Sequence, residues 1–438
     1  MNRIITLLSC WLLLSFVCTS VVFAQQVFTL EEALQQAEEQ NYDIRIARND
    51  VAIARADYSI GNAGFLPTVD ASAGYTGTLS NTEQSFLSGQ TNEVDGALTT
   101  RTSAGVNMNW SLFEGLGRNA TLDRLKQEFE QQEQTEQSTK EAVIGDVILL
   151  YYDLVRQQEQ RAVFEEAVTL SEERLRIAEL RRDLGSASEL EVRQAQLDLN
   201  TDRVNLLRQE TTLSNAKASF NQLLVRPLNL DYAVEDTIPV GPIEALDVLN
   251  NQALAQNSLL RISEKDRMIA GIQIREIKSE WLPSLSASTG YNYSDLSAES
   301  GFLLSNQSTD FTYGLSLNLG LFDGFNRRRR LSNAMIRQSN ADLVIESIRT
   351  QIESNVSRTY QNFLNSRQTV SIEQESVVLA LQNVNTALER FELGDITSIE
   401  LREVQEALTR ARSLLLFAQY EAKQAEVELH RLTGRLLR

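Results

Sequence analysis

The sequence predicts a mainly helical protein that also carries membrane β-strands, four per subunit. This prediction rests on an export signal at the N-terminus, an internal duplication over the rest of the chain, and four segments in which apolar and polar residues alternate. The chain has 438 residues, only 5 prolines and a formal net charge of −18. Long stretches rich in Gln, Glu, Leu, Ala and Arg favour extended helices, and the negative charge argues against a nucleic-acid partner.

The N-terminal segment is predicted to be a cleaved secretory signal. Arg3 precedes an apolar run over residues 4–17, and small residues close the segment at Ala24. We therefore expect a signal peptide over residues 1–24 and a mature chain that begins at Gln25. No later stretch approaches the roughly 20 apolar residues of a membrane helix, so a crossing of the membrane would have to use strands.

The rest of the chain repeats one plan twice. The segment "GFLPTVDASAGY" at 64–75 recurs as "EWLPSLSASTGY" at 280–291, an offset of 216 residues. Beyond the strands the offset is 209, because "SLFEGLGRNATL" at 111–122 recurs as "GLFDGFNRRRRL" at 320–331. The change of seven residues predicts a surface loop of variable length between the two strands of each half.

Each repeat is predicted to contain an opening helix, two strands, a very long helix, a short turn and a further helix. The first repeat is expected over 25–235 and the second over 236–438. The longest helices should cover about 118–183 and about 327–392, which at 1.5 Å per residue is on the order of 100 Å each. Their apolar residues recur at steps of three and four, which is typical of coiled-coil seams.

The opening helices are each predicted as one continuous segment. In the first repeat, Thr29 and Glu32 form a capping-box pattern, and the helix should run to about residue 60. In the second repeat, Pro242 suits a first helical turn, and the helix should run to about residue 278.

Four segments alternate apolar and polar residues with period two, around 68–75, 104–112, 284–293 and 311–321. Each is about ten residues long, the length that a tilted strand needs to cross a bilayer. Strands of a soluble sandwich alternate in the same way, but four such segments in an exported chain, flanked by very long helices, favour the membrane. Aromatic residues in these segments are candidate membrane-interface residues: Tyr75, Trp110, Tyr291, Tyr293, Phe311 and Tyr313.

Four strands cannot close a barrel, and an open sheet edge in lipid leaves backbone groups without hydrogen-bond partners. The barrel must therefore be shared between subunits. Because an eight-stranded barrel is filled by its own side chains, a water-filled pore needs more strands. Three subunits with twelve strands are the smallest arrangement that conducts.

The chain resembles the TolC family of outer-membrane efflux and secretion channels. The resemblance covers the whole mature sequence and rests on the duplicated Leu-Pro strand openings, on "LFEG" and "LFDG" at the strand exits, and on the "LG" helix turns. It implies a homotrimer in the outer membrane of a Gram-negative bacterium, with a twelve-stranded β-barrel that continues into a twelve-helix periplasmic α-barrel.

The resemblance also implies partners and a passive transport function. A periplasmic adaptor (membrane fusion) protein would join the trimer to an inner-membrane pump of the RND, ABC or MFS type. Drugs, small molecules or polypeptides would leave through the duct, in a tripartite efflux pump or a type I secretion system. The alternative is a periplasmic coiled-coil scaffold with a small soluble β region and no pore.

The two helix turns are candidate docking sites for the adaptor. Leu184 and Gly185 end the first long helix, and Leu393 and Gly394 end the second. A glycine that ends a helix in the left-handed conformation explains the turn by itself. The resemblance adds that family members receive the adaptor at these turns.

Acidic residues after these turns are candidate gate residues. Glu400 and Glu403 occupy positions where the family places acidic residues facing the tunnel axis, and a spacing of three puts both carboxylates on one helix face. Glu191 follows the first turn, in the pattern Ser188 with Glu191, as Glu400 does in Thr397 with Glu400. Three copies would form a ring that attracts cations.

Two residues depart from the better-known family pattern near this gate. Ile396 replaces a basic residue that helps to latch the closed state, and Phe391 replaces a tyrosine. The resemblance therefore implies that other interactions hold this entrance shut, with packing as one alternative.

A run of four arginines, Arg327, Arg328, Arg329 and Arg330, follows the fourth strand. At the periplasmic rim of the membrane these side chains would contact lipid phosphates, although cations are slightly unfavourable at a helix N-terminus.

Catalytic signals are absent from the sequence. Both cysteines, Cys10 and Cys18, fall inside the predicted signal, and the only histidine is His430. Without a phosphate-binding glycine loop, a nucleophile elbow or paired metal-binding histidines, we expect neither an enzyme nor a metal or other cofactor.

Overall fold

The computed structural model describes residues 27–301 and 303–437, so the predicted signal peptide lies outside the described residues. The elements in chain order are α1 (Leu30–Gln40), α2 (Tyr42–Asp57), β1 (Thr68–Ser85), β2 (Thr91–Glu114), α3 (Gly117–Asp183), α4 (Glu189–Leu223), α5 (Leu246–Gln256), α6 (Ser258–Ser279), β3 (Ser284–Ala298), β4 (Ser305–Asn318), α7 (Asn326–Leu393) and α8 (Ser398–Leu432). The two long helices agree with their predicted ranges to within one residue.

The prediction of continuous opening helices was wrong, because an asparagine divides each of them. Between α1 and α2, the Asn41 side chain accepts hydrogen bonds from the backbone N–H of Asp43 (2.9 Å) and of Ile44 (3.3 Å). Its equivalent 216 residues later, Asn257, caps α6 in the same way. Asparagine is a preferred N-cap, so each side chain ends one helix and starts the next. The second opening helix also begins at Leu246, later than Pro242 suggested.

The four strands form one antiparallel sheet in the order β1-β2-β3-β4. They contain 18, 24, 15 and 14 residues, so the predicted length of about ten was too short. Pairing continues past the alternating segments into polar sequence, because the backbone ladder of a hairpin does not require an apolar face.

The two hairpins have the same register once the sequence offsets are applied. The pairs from Thr68↔Asn109 to Ser80↔Ala97 correspond to those from Ser284↔Asn318 to Leu296↔Asn306. Beyond Ser80 the first hairpin shifts register and extends further. The length difference between the halves therefore lies where the connecting turn joins the two strands of each hairpin.

The chain divides into two compact units, and each takes segments from both halves of the sequence. Among the described residues, the helical unit consists of 27–45, 140–250 and 355–437, and the sheet unit consists of 46–139 and 251–354. The helical unit has an apolar core around Val147, Tyr151 and Phe220. The repeat boundaries 25–235 and 236–438 stay a prediction. In the described part of the chain, no helix combines the length and the apolar character of a membrane span.

Candidate functional sites

One face of the sheet exposes large apolar and aromatic side chains. Tyr75 on β1 is 72% exposed and Tyr313 on β4 is 82% exposed, and Tyr291 and Phe311 are exposed as well. A soluble protein would bury such a face, whereas lipid would cover it. Of the predicted interface residues, only Tyr293 is half-buried on this surface; its hydroxyl accepts a hydrogen bond from Gln307 Nε2 at 2.9 Å.

Trp110 and Tyr75 lie far apart along the strands, and the pairing places the other predicted aromatic residues between their levels. Trp110 is near the helix-proximal end of β2, and its Nε1 donates to the Phe65 carbonyl at 2.9 Å. Tyr75 pairs with Thr102, eight residues further along β2. At about 3.3 Å per residue this is about 26 Å along the strand, similar to the roughly 25 Å apolar band of membrane barrels before tilt is taken into account.

The opposite face of the sheet carries small and polar side chains. At its centre Asn107 and Asn292 exchange side-chain hydrogen bonds of 3.4 and 3.3 Å between β2 and β3. Each amide lies over a glycine of the other strand, because a Cβ on Gly105 would come within 2.0 Å of Asn292 Oδ1 and one on Gly290 within 2.2 Å of Asn107 Oδ1. This face suits contact with water.

Both helix turns have the geometry expected from their glycines. Gly185 has φ +76° and Gly394 has φ +85°. In each turn the residue after glycine donates its N–H to a carbonyl five residues earlier, Ser186 to Arg181 and Asp395 to Arg390, both at 2.8 Å. This is the Schellman motif, which satisfies the last carbonyls of α3 and α7. Glycine adopts this conformation without a steric cost.

The leucines before these glycines extend into solvent. Leu184 is 74% exposed and Leu393 is 78% exposed. Helix termination requires the glycines but not these side chains. Their exposure leaves an apolar surface at each turn for a partner.

The predicted gate acids differ in their surroundings. Glu400 is exposed and completes a capping box, because its carboxylate accepts from the Thr397 N–H at 2.7 Å and its own N–H donates to Thr397 Oγ1 at 3.3 Å. The backbone hydrogen bond from Thr397, together with the one from its hydroxyl, lowers the pKa of Glu400. Glu403 is exposed, and its carboxylate forms no hydrogen bond or ion pair with another residue that the structure describes.

Glu191 does not complete a capping box of its own. Ser188 caps α4 by accepting from the Glu191 N–H, but the Glu191 carboxylate lies 3.6 Å from Arg181 Nη1. Arg181 in turn lies over the Phe391 ring, 5.0 Å from its centroid. The turn after α3 and the end of α7 are therefore in contact within the helical unit.

Phe391 and Ile396 both take part in apolar packing near the turns. Phe391 is fully buried in a cluster with Ile177, Ala387 and Leu401, and Ile396 packs against the same cluster. The two departures from the family pattern thus add to an apolar core that joins α3, α7 and α8.

A buried ionic network lies further along α3, α4 and α8, and no local pattern in the sequence predicts it. Asp202 on α4 accepts from Ser171 Oγ on α3 at 2.5 Å and from Arg402 Nη2 on α8 at 3.0 Å. One turn before Asp202, Asp198 accepts from Arg174 Nη2 at 2.6 Å. Arg174 is 0% exposed, and burial lowers the pKa of its guanidinium against the opposing effect of Asp198.

An arginine clamp at each strand exit is a second feature that sequence reasoning missed. Arg118 donates to the carbonyls of Gly64 (3.1 Å), Ser111 (2.5 Å) and Leu112 (2.6 Å), and it lies over the Phe65 ring. Each clamp thus ties the end of a strand to the turn that follows an opening helix.

The second clamp uses the equivalent residues of the second half. Arg327 donates to the carbonyls of Glu280 (2.9 Å) and Gly320 (2.6 Å), and it lies over the Trp281 ring. The signal was present in the duplication, because Arg118 and Arg327 are the arginines that "LFEGLGR" and "LFDGFNR" share.

The clamp leaves Arg327 little surface for a phosphate, because it is only 8% exposed and also pairs with Asp323. Arg330 forms an ion pair with Glu280, while Arg328 and Arg329 are exposed. Of the predicted lipid-binding arginines, Arg328 and Arg329 therefore remain the strongest candidates.

No metal site is evident among the described residues, since they contain no group of three or more His, Cys, Asp or Glu placed to hold an ion. His430 is half-buried on α8 with its Nε2 3.9 Å from Glu426, and burial lowers its pKa.

Comparison with known proteins decides the family. The sequence model of the outer membrane efflux protein family matches residues 33–225 and 249–435, which together make up most of the chain. The chain belongs to the outer membrane efflux protein family. The predicted membership of the TolC group of channels and the predicted place in the outer membrane are thereby confirmed.

Two outer-membrane proteins illustrate the sequence similarity. The probable efflux pump outer membrane protein TtgC of Pseudomonas putida is 23% identical over 419 residues, covering 92% of this chain and 82% of TtgC. The outer membrane protein TolC of Vibrio cholerae is 22% identical over 425 residues, covering 95% of this chain and 92% of TolC.

A solved structure of CusC, a transmembrane channel, superposes with a TM-score of 0.75 at 20% identity, covering 92% of each chain. The predicted fold class is confirmed: long helices with four strands per chain, in the architecture of outer-membrane channels. Family and fold are those of channel proteins.

Proposed function

We propose that this member of the outer membrane efflux protein family assembles as a homotrimer and forms the passive exit duct of an efflux pump. A periplasmic adaptor would connect it to an inner-membrane pump of the RND, ABC or MFS type, which supplies the energy. The names of similar proteins, such as the antibiotic efflux pump outer membrane protein ArpC of Pseudomonas putida, favour drugs and other small molecules over the polypeptides of type I secretion.

The two faces of the sheet carry this proposal. One face exposes aromatic and aliphatic side chains, and the other carries Gly, Ser, Thr and Asn. Lipid against the exposed apolar face and water against the polar face would satisfy both faces of the sheet. Among the described residues, both outer edges of the four-stranded sheet are open, so that a closed wall requires further copies.

Conductance measurements test the duct against the scaffold alternative. The purified protein should insert into planar bilayers and produce discrete conductance steps, and it should fractionate with outer membranes and migrate as a heat-dissociable trimer. A protein that stays soluble after osmotic shock and produces no conductance would support the scaffold instead.

The helix turns are the proposed adaptor-docking sites. Replacing both Leu184 and Leu393 with serine should abolish most export, because each side chain is exposed and offers apolar contact area at a turn. Export of a fluorescent pump substrate from cells would measure the effect. Leu228→Ser is the matched control, since Leu228 is also exposed but lies away from both turns. Normal export by the double variant would exclude these leucines from docking.

Glu403 is the proposed selectivity residue of the gate. Its carboxylate has no partner among the described residues, so three copies around a threefold axis would attract cations. Glu403→Gln should shift the reversal potential in a salt gradient toward zero by reducing cation preference. Glu210→Gln, an exposed acid on α4, should leave it unchanged. Equal reversal potentials for wild type and Glu403→Gln would remove Glu403 from the gate. Glu400 is proposed as a second member, and Glu191, paired with Arg181, as a weaker one.

Arg328 and Arg329 are the proposed lipid contacts, and the aromatic residues of the sheet are the proposed interface anchors. A juxtamembrane arginine contributes about 1 kcal/mol to binding of an anionic surface. Replacing both arginines with glutamate should therefore reduce heat-stable trimer in vesicles with anionic lipid, but not in vesicles of neutral lipid alone. The same loss in both kinds of vesicle would indicate a folding defect instead.

A further inference from the structure

A polar groove of about 620 Å³ lies between α7 and α8, next to Leu149 of α3. Apart from Leu149 and Ala425, the side chains that line it carry a hydroxyl, an amide or a carboxyl group. They include Thr359, Asn362 and Ser366 on α7 and Glu421, Gln424 and Glu428 on α8. Because such groups lose hydrogen bonds to water when an apolar ligand covers them, the groove suits a hydrophilic ligand.

The two walls of the groove differ in charge. The α7 wall contains hydroxyl and amide side chains only, whereas the α8 wall contains two acids. Glu428 accepts hydrogen bonds of 2.7 and 2.6 Å from Arg431, which balances its charge. Glu421 is exposed, and its carboxylate forms no hydrogen bond or ion pair with another described residue. The groove therefore presents one unbalanced carboxylate opposite a neutral wall.

The neutral wall is available to a ligand. Asn362 is exposed and Ser366 is half-buried, and neither side chain has a hydrogen-bond partner elsewhere in the part of the chain that the structure describes. On α8, Glu421 and Glu428 are seven residues apart, which is about 10 Å along the helix. A ligand of this length would contact the Glu421 carboxylate and several hydroxyl and amide groups at once.

The position of the linker between the two halves shows which side of the helix pair the groove is on. Ile238 and Val240 of this linker line another cavity with Val370 of α7 and Ala422 of α8. None of these residues lines the groove, so the groove opens on a different side of α7 and α8. A linker inside a duct would obstruct it, so that in the proposed duct the linker lies outside.

The spacing along α8 also directs the groove toward the inside of the duct. Glu421 follows the proposed gate residue Glu403 by 18 residues, which is five turns of 3.6 residues. Both carboxylates therefore project from the same face of α8. If Glu403 faces the axis of the duct, Glu421 faces it as well, about 27 Å further along the helix.

We propose that this groove is a binding site in the duct wall for amino sugars, which carry both ammonium and hydroxyl groups. An ammonium group would pair with Glu421, and hydroxyl groups would form hydrogen bonds with Asn362 and Ser366. A polyamine lacks the hydroxyl groups and a neutral sugar lacks the charge, so neither satisfies both walls. This inference rests on the proposed duct and specifies a class of ligand for its wall.

Equilibrium dialysis of the full-length trimer in detergent measures this binding without requiring conduction. Kanamycin, an amino sugar, should bind more tightly than sucrose, which has hydroxyl groups only, and than spermidine, which has amino groups only. Glu421→Gln should weaken kanamycin binding about fivefold, the upper range for an exposed ion pair. Glu403→Gln is the matched control, because it removes the same charge from the same face of α8 and should leave this affinity unchanged.

A steric substitution tests the site independently of charge. Ser366→Trp should fill part of the groove and weaken kanamycin binding at least tenfold. Ser376→Trp is the matched control, because Ser376 lies three turns beyond Asn365, on the same side of α7 but outside the groove. The heat-dissociable trimer of each variant shows that the variant has folded.

The outcomes separate this inference from the proposed function. Loss of binding in Glu403→Gln but not in Glu421→Gln would place kanamycin at the gate and overturn the groove. Conducting trimers that bind kanamycin no more tightly than sucrose or spermidine would overturn the groove and leave the duct intact. A protein that does not conduct would overturn the duct and the position of the groove in its wall. Weaker binding by Glu421→Gln and Ser366→Trp, with both controls unchanged, supports the groove.

Discussion

Asp202→Ala is expected to increase single-channel conductance and to make cells leak large hydrophilic antibiotics inward. Asp202 joins Ser171 on α3 to Arg402 on α8, and its side chain is only 7% exposed. Its removal leaves the Arg402 guanidinium with Glu406 as its remaining ion-pair partner. Removing one partner of a buried ion pair typically costs about 3–5 kcal/mol. This loss of free energy would weaken the contact of α8 with α3 and α4.

Planar-bilayer recordings would measure this effect, and a matched ion pair provides the control. Arg203 on α4 and Glu172 on α3 form a pair of 2.8 Å, each one residue after Asp202 and Ser171, but both side chains are about half exposed. An exposed pair contributes about 0–1 kcal/mol, so Arg203→Ala should leave conductance unchanged. Equal conductance for wild type and Asp202→Ala would mean that apolar packing around Phe391 holds the entrance without the network.

Arg118→Ala is expected to destabilise the assembled protein more than substitution of an exposed arginine outside the two clamps. The substitution removes three hydrogen bonds from a charged donor and leaves the carbonyls of Gly64, Ser111 and Leu112 without it. Such a loss is on the order of 3 kcal/mol or more. The heat-dissociable trimer should decrease in outer membranes, and its dissociation temperature should fall.

Lysine should not rescue this position, because one ammonium group cannot reproduce the planar fork that reaches two backbone segments. Arg327→Ala should behave like Arg118→Ala, since the second clamp has equivalent partners. Arg337→Ala provides the control, because Arg337 is exposed further along α7 and takes no part in the clamp. Similar dissociation temperatures for Arg118→Ala and Arg337→Ala would show that the clamp adds no stability.

The sequence predicted those features that depend on local pattern. The ends of α3 and α7 follow from Gly185 and Gly394, whose conformational freedom is intrinsic to the residue. The capping box of Thr397 and Glu400 involves residues three apart, and it formed as predicted. The alternation in β4 gave the orientation of its side chains, since the period of a strand is fixed by its backbone. The roles of Glu403 and of the helix turns stay predictions.

Other features were present in the sequence but not recognised. Asn41 and Asn257 divide the opening helices, and their offset of 216 residues matches that of the strand openings. Arg118 and Arg327 recur at the second offset. Alignment of the two halves identifies such residues, because both halves keep them while the neighbouring residues differ.

By itself the sequence determined the class of the molecule: two strand pairs, two helices of nearly seventy residues and the turns that end them. Only the tertiary structure decided which charges meet. Arg402 and Asp202 are 200 residues apart, and Glu191 contacts Arg181 across a turn instead of its own N-cap. Helix and strand patterns reflect backbone geometry over a few residues, whereas an ion pair depends on which helices pack side by side and in which rotation. That information appears only when the whole chain has folded.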